Sequence, residues 1–200
     1  MKNISVLIPS FNEDANLLKL IPKVNEAILE IEKKEDFEII VINDGSWDKT
    51  EEKVKSLKKN TPNLKLINLK QNMGKAYALD VGIKKSEGKI IASIDADMQY
   101  EPKDFLHMIK KINEGYDFVN GRRSIRKDTT VISFFSFLYN FILRKIFRCQ
   151  IFDFFSGIKV YKKKIYDLIN LNSLPRFIIF FSIKYKYKLI EIDINHRNRE

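Results

Sequence analysis

Four short runs rich in β-branched residues, SVLIP (5–9), EIIVIND (38–44), LKLINLK (64–70) and KIIASIDAD (89–97), alternate with longer amphipathic stretches, and this pattern constrains the fold most. Short β-branched runs read as strands. Between them Leu17, Leu18, Ile21, Val24, Ile28 and Ile31 recur at helical spacing, as do Val54 with Leu57, and Ala76, Leu79, Val81 and Ile83. Strand then helix, repeated, predicts parallel strands joined by right-handed crossovers, an α/β fold with a mostly parallel sheet flanked by helices. Pro9, Gly45, Pro62, Gly74, Gly88, Pro102 and Gly115 fall where this scheme expects breaks. A chain of 200 residues, 44% hydrophobic, has enough apolar material for one such domain.

Ligands of an open parallel sheet bind outside the carboxyl ends of its strands, so the residues just after each run are the ones to inspect. They are Ser10-Phe11-Asn12-Glu13, Asp44-Gly45-Ser46, Asn72-Met73-Gly74-Lys75 and Asp95-Ala96-Asp97-Met98-Gln99. Two carboxylates one residue apart repel unless a cation compensates them, and a divalent metal shared with diphosphate oxygens does so. A lone pair of this kind is a weak signal; its place after an apolar strand, among other polar strand ends, strengthens it. Ser46 and Asp48 are the expected caps of the next helix, which leaves Asp44 for a ligand. Lys75, at a helix start, suits phosphate, although an ordinary surface lysine is the plainer reading.

Charge is the second constraint. A net charge of +10 suits an anionic partner such as nucleotide phosphate, nucleic acid or an anionic membrane, or reflects lysine-rich solvated helix faces. Nucleic acid is the least favoured of these, because acids cluster at the strand ends where a basic, aromatic platform would be needed. A nucleotidyltransferase would want a Gly-rich basic loop after the first strand, where SFNEDAN stands. His107 and His196 lack the neighbours of a zinc site, and the single cysteine, Cys149, has no partner for an intrachain disulfide. The N-terminus lacks a signal-peptide apolar block, which points to a cytoplasmic location.

IPSFNE (8–13), VINDGSWDKT (41–50), Asn72-Met73-Gly74-Lys75 and DADMQYEP (95–102) together resemble the inverting nucleotide-sugar glycosyltransferases of family two, whose fold is the Rossmann-like GT-A fold. The resemblance spans essentially the whole chain. It implies a single domain with a nucleotide-sugar half (1–99) and an acceptor half (100–200). Gly121-Arg122-Arg123 after a short strand, Asp153-Phe154-Phe155-Ser156-Gly157, and Pro175-Arg176-Phe177-Ile178 are similar to the polyprenyl-phosphate branch, which includes dolichyl-phosphate mannosyltransferases and related glucosyltransferases. The usual aromatic-Arg pair of that branch is Ile158-Lys159 here, which keeps a charge but loses the two-pronged guanidinium grip. Asn195-His196-Arg197-Asn198-Arg199 is similar to the start of the branch's His-and-Arg segment, beyond which the branch continues with a Gly-containing turn and, in many members, membrane helices. The resemblance therefore implies either a shortened form ending at Glu200 or membrane attachment elsewhere.

The resemblance further implies that Pro9, Phe11, Asn12, Glu13, Asp44, Lys75, Asp95 and Ala96 hold a UDP- or GDP-sugar, and that Asp95, Asp97 and Gln99 hold Mg²⁺ or Mn²⁺. Arg122, Arg126, Ser156 and Lys159 would hold a polyprenyl phosphate, and Asp97, Arg122 and Asp153 would be catalytic. A polyprenyl phosphate is already an anionic nucleophile. A sugar hydroxyl, the alternative acceptor, needs a base, for which Asp153 is the candidate, unless it is only a structural turn carboxylate. Residues 131–148 carry too short an apolar run to span a bilayer and read either as an interfacial helix, with Arg144, Lys145 and Arg148 on anionic lipid, or as a core helix. The interfacial reading places the protein peripherally on the cytoplasmic face of a membrane.

Overall fold

The computed structural model describes residues 2–123, 140–169 and 175–197. Arg126, residues 131–139, Asn198 and Arg199 lie outside the described residues, as do the expectations attached to them. Strands β1 (Ile4–Ser10), β2 (Phe37–Asn43), β3 (Leu64–Asn68), β4 (Ile90–Ser93), β5 (Phe118–Arg123), β6 (Lys159–Lys162) and β7 (Leu189–Ile194) form a seven-stranded sheet in the order β3-β2-β1-β4-β6-β5-β7. Pairings β1–β2, β2–β3, β1–β4 and β5–β7 are parallel, while β6 runs antiparallel to both its neighbours. Helices α1 (Asp14–Leu29), α2 (Thr50–Leu57), α3 (Lys75–Lys85), α4 (Asp104–Asn113), α5 (140–147), α6 (Lys164–Ile169) and α7 (Ile178–Lys184) flank it.

Every residue of β1 and β2 is buried. Alternation sends Ile4, Val6, Ile8, Phe37, Ile39 and Val41 into one apolar layer, packed with Leu17, Val24 and Ile28 of α1 and Phe105 and Met108 of α4. Leu7, Ile40 and Ile42 enter the opposite layer with Ala78 and Ile83 of α3 and Ile178 and Ile179 of α7. The helical spacing in α1 holds at Leu17, Ile21, Val24 and Ile28, whereas Leu18 is only partly buried and Ile31 lies past the helix end and is exposed. In α3 the buried residues are Ala78, Asp80, Gly82 and Ile83, so of the residues picked out by spacing only Ile83 points fully inward. Asp80 tolerates that position because it pairs with Lys84 and accepts from the Tyr166 hydroxyl of α6.

The sheet order places the site. The chain winds outward from β1 through β2 to β3, then returns on the other face to place β4 on the free side of β1. A crevice opens at such a reversal, beyond the ends of β1 and β4. Pro9, expected at a break, lies inside β1, opposite Ile42 of β2. β4 has left the pairing by then, its last partner being Leu7 opposite Ser93. Leu7 turns its carbonyl toward β4, accepting from Ile94, so Pro9, two residues on, points its missing N–H to the side where no strand needs it.

Candidate functional site

Two loops cross-brace beside the crevice. The Asn12 amide N–H donates to Ser46 Oγ at 2.9 Å, the Trp47 N–H to Asn12 Oδ1 at 3.1 Å, and the Asp14 N–H to Asp48 Oδ2 at 3.2 Å. Ser46 therefore does not cap α2. Asp48 accepts from the Thr50 N–H at 2.9 Å and serves the starts of both α1 and α2. Asp44 is buried, and its two oxygens accept from the Met73 and Gly74 N–H groups at 2.8 and 2.9 Å. The expectation of an Asp44 left over for ligand is corrected to this extent: it lines the crevice while organising the loop before α3. Gly74 has φ of 88°, a left-handed turn that lets that loop enter α3 directly at Lys75.

After β4, burial alternates. Ile94, Ala96, Met98 and Tyr100 are buried, and Asp95, Asp97 and Gln99 face outward between them. Met98 takes φ of 60° in this turn, and the Gln99 N–H donates to Asp97 Oδ1 at 3.2 Å. Asp95 forms an ion pair with Lys75 across the crevice. On its far side is Gly157, where an added Cβ would stand 2.3 Å from Asp95 Oδ2 and 2.7 Å from the Tyr100 ring. The Gly157 N–H donates to the Tyr100 hydroxyl at 2.8 Å, and burial pushes that phenol up to about 12.

Two cavities meet at the Lys75–Asp95 pair. The first, about 240 Å³, is lined by Pro9, Ser10, Phe11, Glu13, Asp44, Asn72, Gly74, Lys75, Asp95, Ala96 and Asp97. The second, about 500 Å³, shares Pro9, Gly74, Lys75 and Asp95 and adds Phe154, Phe155, Ser156, Gly157, Lys159 and Ile178 among others. The first thus gathers the expected nucleotide residues except Asn12, whose side chain braces Trp47, and the second gathers Ser156 and Lys159. The Lys159 ammonium donates to the Ser156 carbonyl, and burial first, then the charge of Lys75, pushes it down to about 8.

The divalent-cation expectation meets a suitable set of groups. Among the described residues no cluster of three or more His, Cys, Asp or Glu side chains stands ready to hold a metal. Asp95 and Asp97 are nonetheless hard-oxygen groups on one cavity wall, and the close approach of Gly157 leaves Asp95 room that a side chain would fill. Two carboxylates completed by substrate phosphates are the usual protein share of a Mg²⁺ site. Gln99 offers an amide oxygen two residues on, but lines neither cavity, and its amide nitrogen reaches the Arg197 carbonyl at 3.4 Å.

Arg122 and Asp153 need correction. Arg122 pairs with Asp193 through two bonds of 2.6 and 2.8 Å and lines a separate cavity with Cys149 and Phe152. Its neighbour Arg123 instead grips Asp153 with bonds of 2.7 and 2.9 Å. Strand alternation in β5 separates the two arginines, a choice the sequence leaves open because both share one short run. Asp153 is buried, with both oxygens bonded by the guanidinium, so it anchors the 153–157 turn and neither oxygen stands open to the crevice as the expectation of a base requires. The turn also depends on Glu191, unremarked in the sequence, which accepts from the Phe152 and Asp153 N–H groups and from Asn120. Burial raises the Glu191 carboxyl above its usual range.

The sequence profile described as Glycosyl transferase family 2 matches residues 5–169. The chain belongs to glycosyl transferase family 2. Two family-2 relatives, the undecaprenyl-phosphate 4-deoxy-4-formamido-L-arabinose transferases of Photorhabdus laumondii and Pectobacterium carotovorum, are each 28% identical over 202 residues, covering 100% of this chain and 62% and 61% of theirs. The chain thus spans about three fifths of the length of these curated relatives. Among solved structures, glucosyl-3-phosphoglycerate synthase from Mycobacterium tuberculosis, in complex with Mn²⁺, UDP and phosphoglyceric acid, aligns with a TM-score of 0.75 at 19% identity, over 100% of this chain and 72% of that one. A mannosyltransferase from Pyrobaculum calidifontis, in complex with GDP-Man and Mn²⁺, aligns at 0.70 and 17%, over 96% and 55%. At these identities the likeness shows the fold, which is the GT-A glycosyltransferase fold.

Proposed function

We propose that this family-2 chain transfers a sugar, with inversion, from a nucleoside-diphosphate sugar to a polyprenyl phosphate at a membrane surface. The observation that carries the reading is the pair of cavities divided by Lys75 and Asp95. One has the acids and strand-end backbone suited to a nucleotide. The other has a half-buried cation, Lys159, with Phe154, Phe155 and Ile178 beside it, suited to a phosphate on an apolar chain. The names of the longer relatives point to the same acceptor class.

In this reading Asp95 and Asp97 would hold a Mg²⁺ or Mn²⁺ ion, which would supply charge neutralisation for a departing nucleoside diphosphate. Lys75 reaches both cavities and exchanges its bond to Asp95 for diphosphate oxygens. Lys159 and Ser156 would place the acceptor phosphate in the cavity they share with Asp95, next to the donor cavity. The engagement of Asp153 with Arg123 favours an acceptor that arrives ionised over a hydroxyl needing a base. Docking on lipid would use α5, where Phe141, Ile142 and Ile146 are exposed beside Arg144 and Lys145 while Leu143 packs into the core. Among the described residues no helix is long and apolar enough to cross a membrane.

The test is transfer of labelled sugar from a panel of UDP- and GDP-sugars to extractable polyprenyl phosphate with Mg²⁺ or Mn²⁺, comparing wild type with Asp97→Ala. Metal-dependent lipid labelling that disappears in the variant supports the proposal. Donor binding with no lipid labelling from any sugar overturns the acceptor assignment.

A further inference from the structure

Trp47 is the single tryptophan of the chain and, at 80% exposure, the most exposed large apolar side chain among the described residues. It is nevertheless held in place. Its backbone N–H donates to Asn12 Oδ1, its neighbour Ser46 accepts from the Asn12 backbone N–H, and Asn12 takes φ of 56°. Its indole meets the Phe11 ring edge to face, with centroids 4.9 Å apart and planes at 87°. Phe11 lines the smaller cavity, as does Asp44 at the start of the loop that carries Trp47.

The fold therefore fixes the backbone at Trp47 with two hydrogen bonds and a left-handed residue, and sets its ring against Phe11 although that ring buries little surface. A large aromatic ordered against a cavity-lining ring but left in water has its apolar face available to a flat ligand, and a nucleobase is the flat part of the ligand this cavity suits. We infer that Trp47 forms the outer wall of the donor site and packs on the nucleobase when a nucleoside diphosphate enters. This rests on the nucleotide-sugar reading of the cavity and adds to it a contact made by neither the strand-end acids nor Lys75. Any π-face satisfies such a contact, so Trp47 adds affinity for bases in general while other groups select among them.

Because the chain has a single tryptophan, fluorescence excited at the red edge, where its eight tyrosines do not absorb, reports this site alone. Titration of the whole chain with UDP, GDP and, as a base-free control, pyrophosphate, all with Mg²⁺, is followed by fluorescence and by calorimetry. The expected result is saturable quenching by the nucleotides and none by pyrophosphate. Trp47→Ala should weaken nucleotide binding about tenfold while leaving pyrophosphate affinity unchanged, and Trp47→Phe should restore most of the loss. Nucleotide binding seen by calorimetry with unchanged fluorescence, or with equal affinity in Trp47→Ala, overturns the inference and leaves the donor reading intact. Absence of nucleotide binding to the wild type overturns both.

Discussion

Lys75, the first residue of α3, pairs with Asp95, just past the end of β4, so one ion pair closes the crevice where the sheet reverses its winding and forms the wall common to both cavities. Lys75 is half exposed, and such a pair adds little to stability. Its value lies in keeping a cation and a carboxylate ready at the diphosphate position. Lys75→Met should leave the melting temperature within about 2 °C of wild type, while calorimetry shows nucleoside-diphosphate affinity falling roughly tenfold or more, the loss expected for one charge-assisted contact.

Gly157 lies against the other face of Asp95. In Gly157→Ala the new Cβ would stand 2.3 Å from the carboxylate, so either Asp95 or the 153–157 turn must move. Overpacking of this kind costs about 1–3 kcal/mol. Chemical denaturation should register that loss, and Mn²⁺-dependent nucleotide binding should weaken with it. A variant with wild-type stability and binding would show that the close approach is not needed.

The two arginines of β5 make a paired prediction about stability. Asp153 is buried and Arg123 is mostly covered, with side chains 4% and 15% exposed, whereas Arg122 and Asp193 are 38% and 54% exposed. Removing one member of a buried pair strands the other charge and costs about 3–5 kcal/mol. An exposed pair is worth about 0–1 kcal/mol. Urea unfolding should therefore rank Arg123→Ala far below Arg122→Ala, and Asp153→Asn should be destabilising in its own right.

Lys159 predicts a pH dependence. In the folded protein it releases its proton as pH rises through about 8, below the 10.5 of an ordinary lysine. Between those values the unfolded chain holds the extra proton, so this group makes the fold more stable as pH climbs across that window. Phosphate binding follows the opposite course, because it needs the ammonium. Affinity for a short-chain polyprenyl phosphate should decline above pH 8, and at pH 8.5 binding should take up a proton, seen as a dependence of calorimetric heat on buffer ionisation enthalpy. Lys159→Met should remove both effects and raise the melting temperature at pH 7.

The sequence by itself determined the alternation of buried strands and amphipathic helices, and hence which loops fall at the carboxyl ends of the strands. Both are local properties, because period and β-branching act over a few residues and a strand with its crossover helix has one hand. The positions of Asp95, Asp97 and Lys75 beside a common crevice follow from that alone. Tertiary structure decided matters that depend on partners distant in the chain. The antiparallel β6, the outward turn of Arg122 with the inward turn of Arg123, and the capture of Asp44 by the loop before α3 all rest on such partners. So does the role of Asp153, a carboxylate that would suit a base until Arg123, 30 residues earlier in the chain, occupies both its oxygens. A hydrogen bond is directional and is satisfied by whichever donor the fold brings within about 3 Å, and no spacing along the chain records which donor that will be.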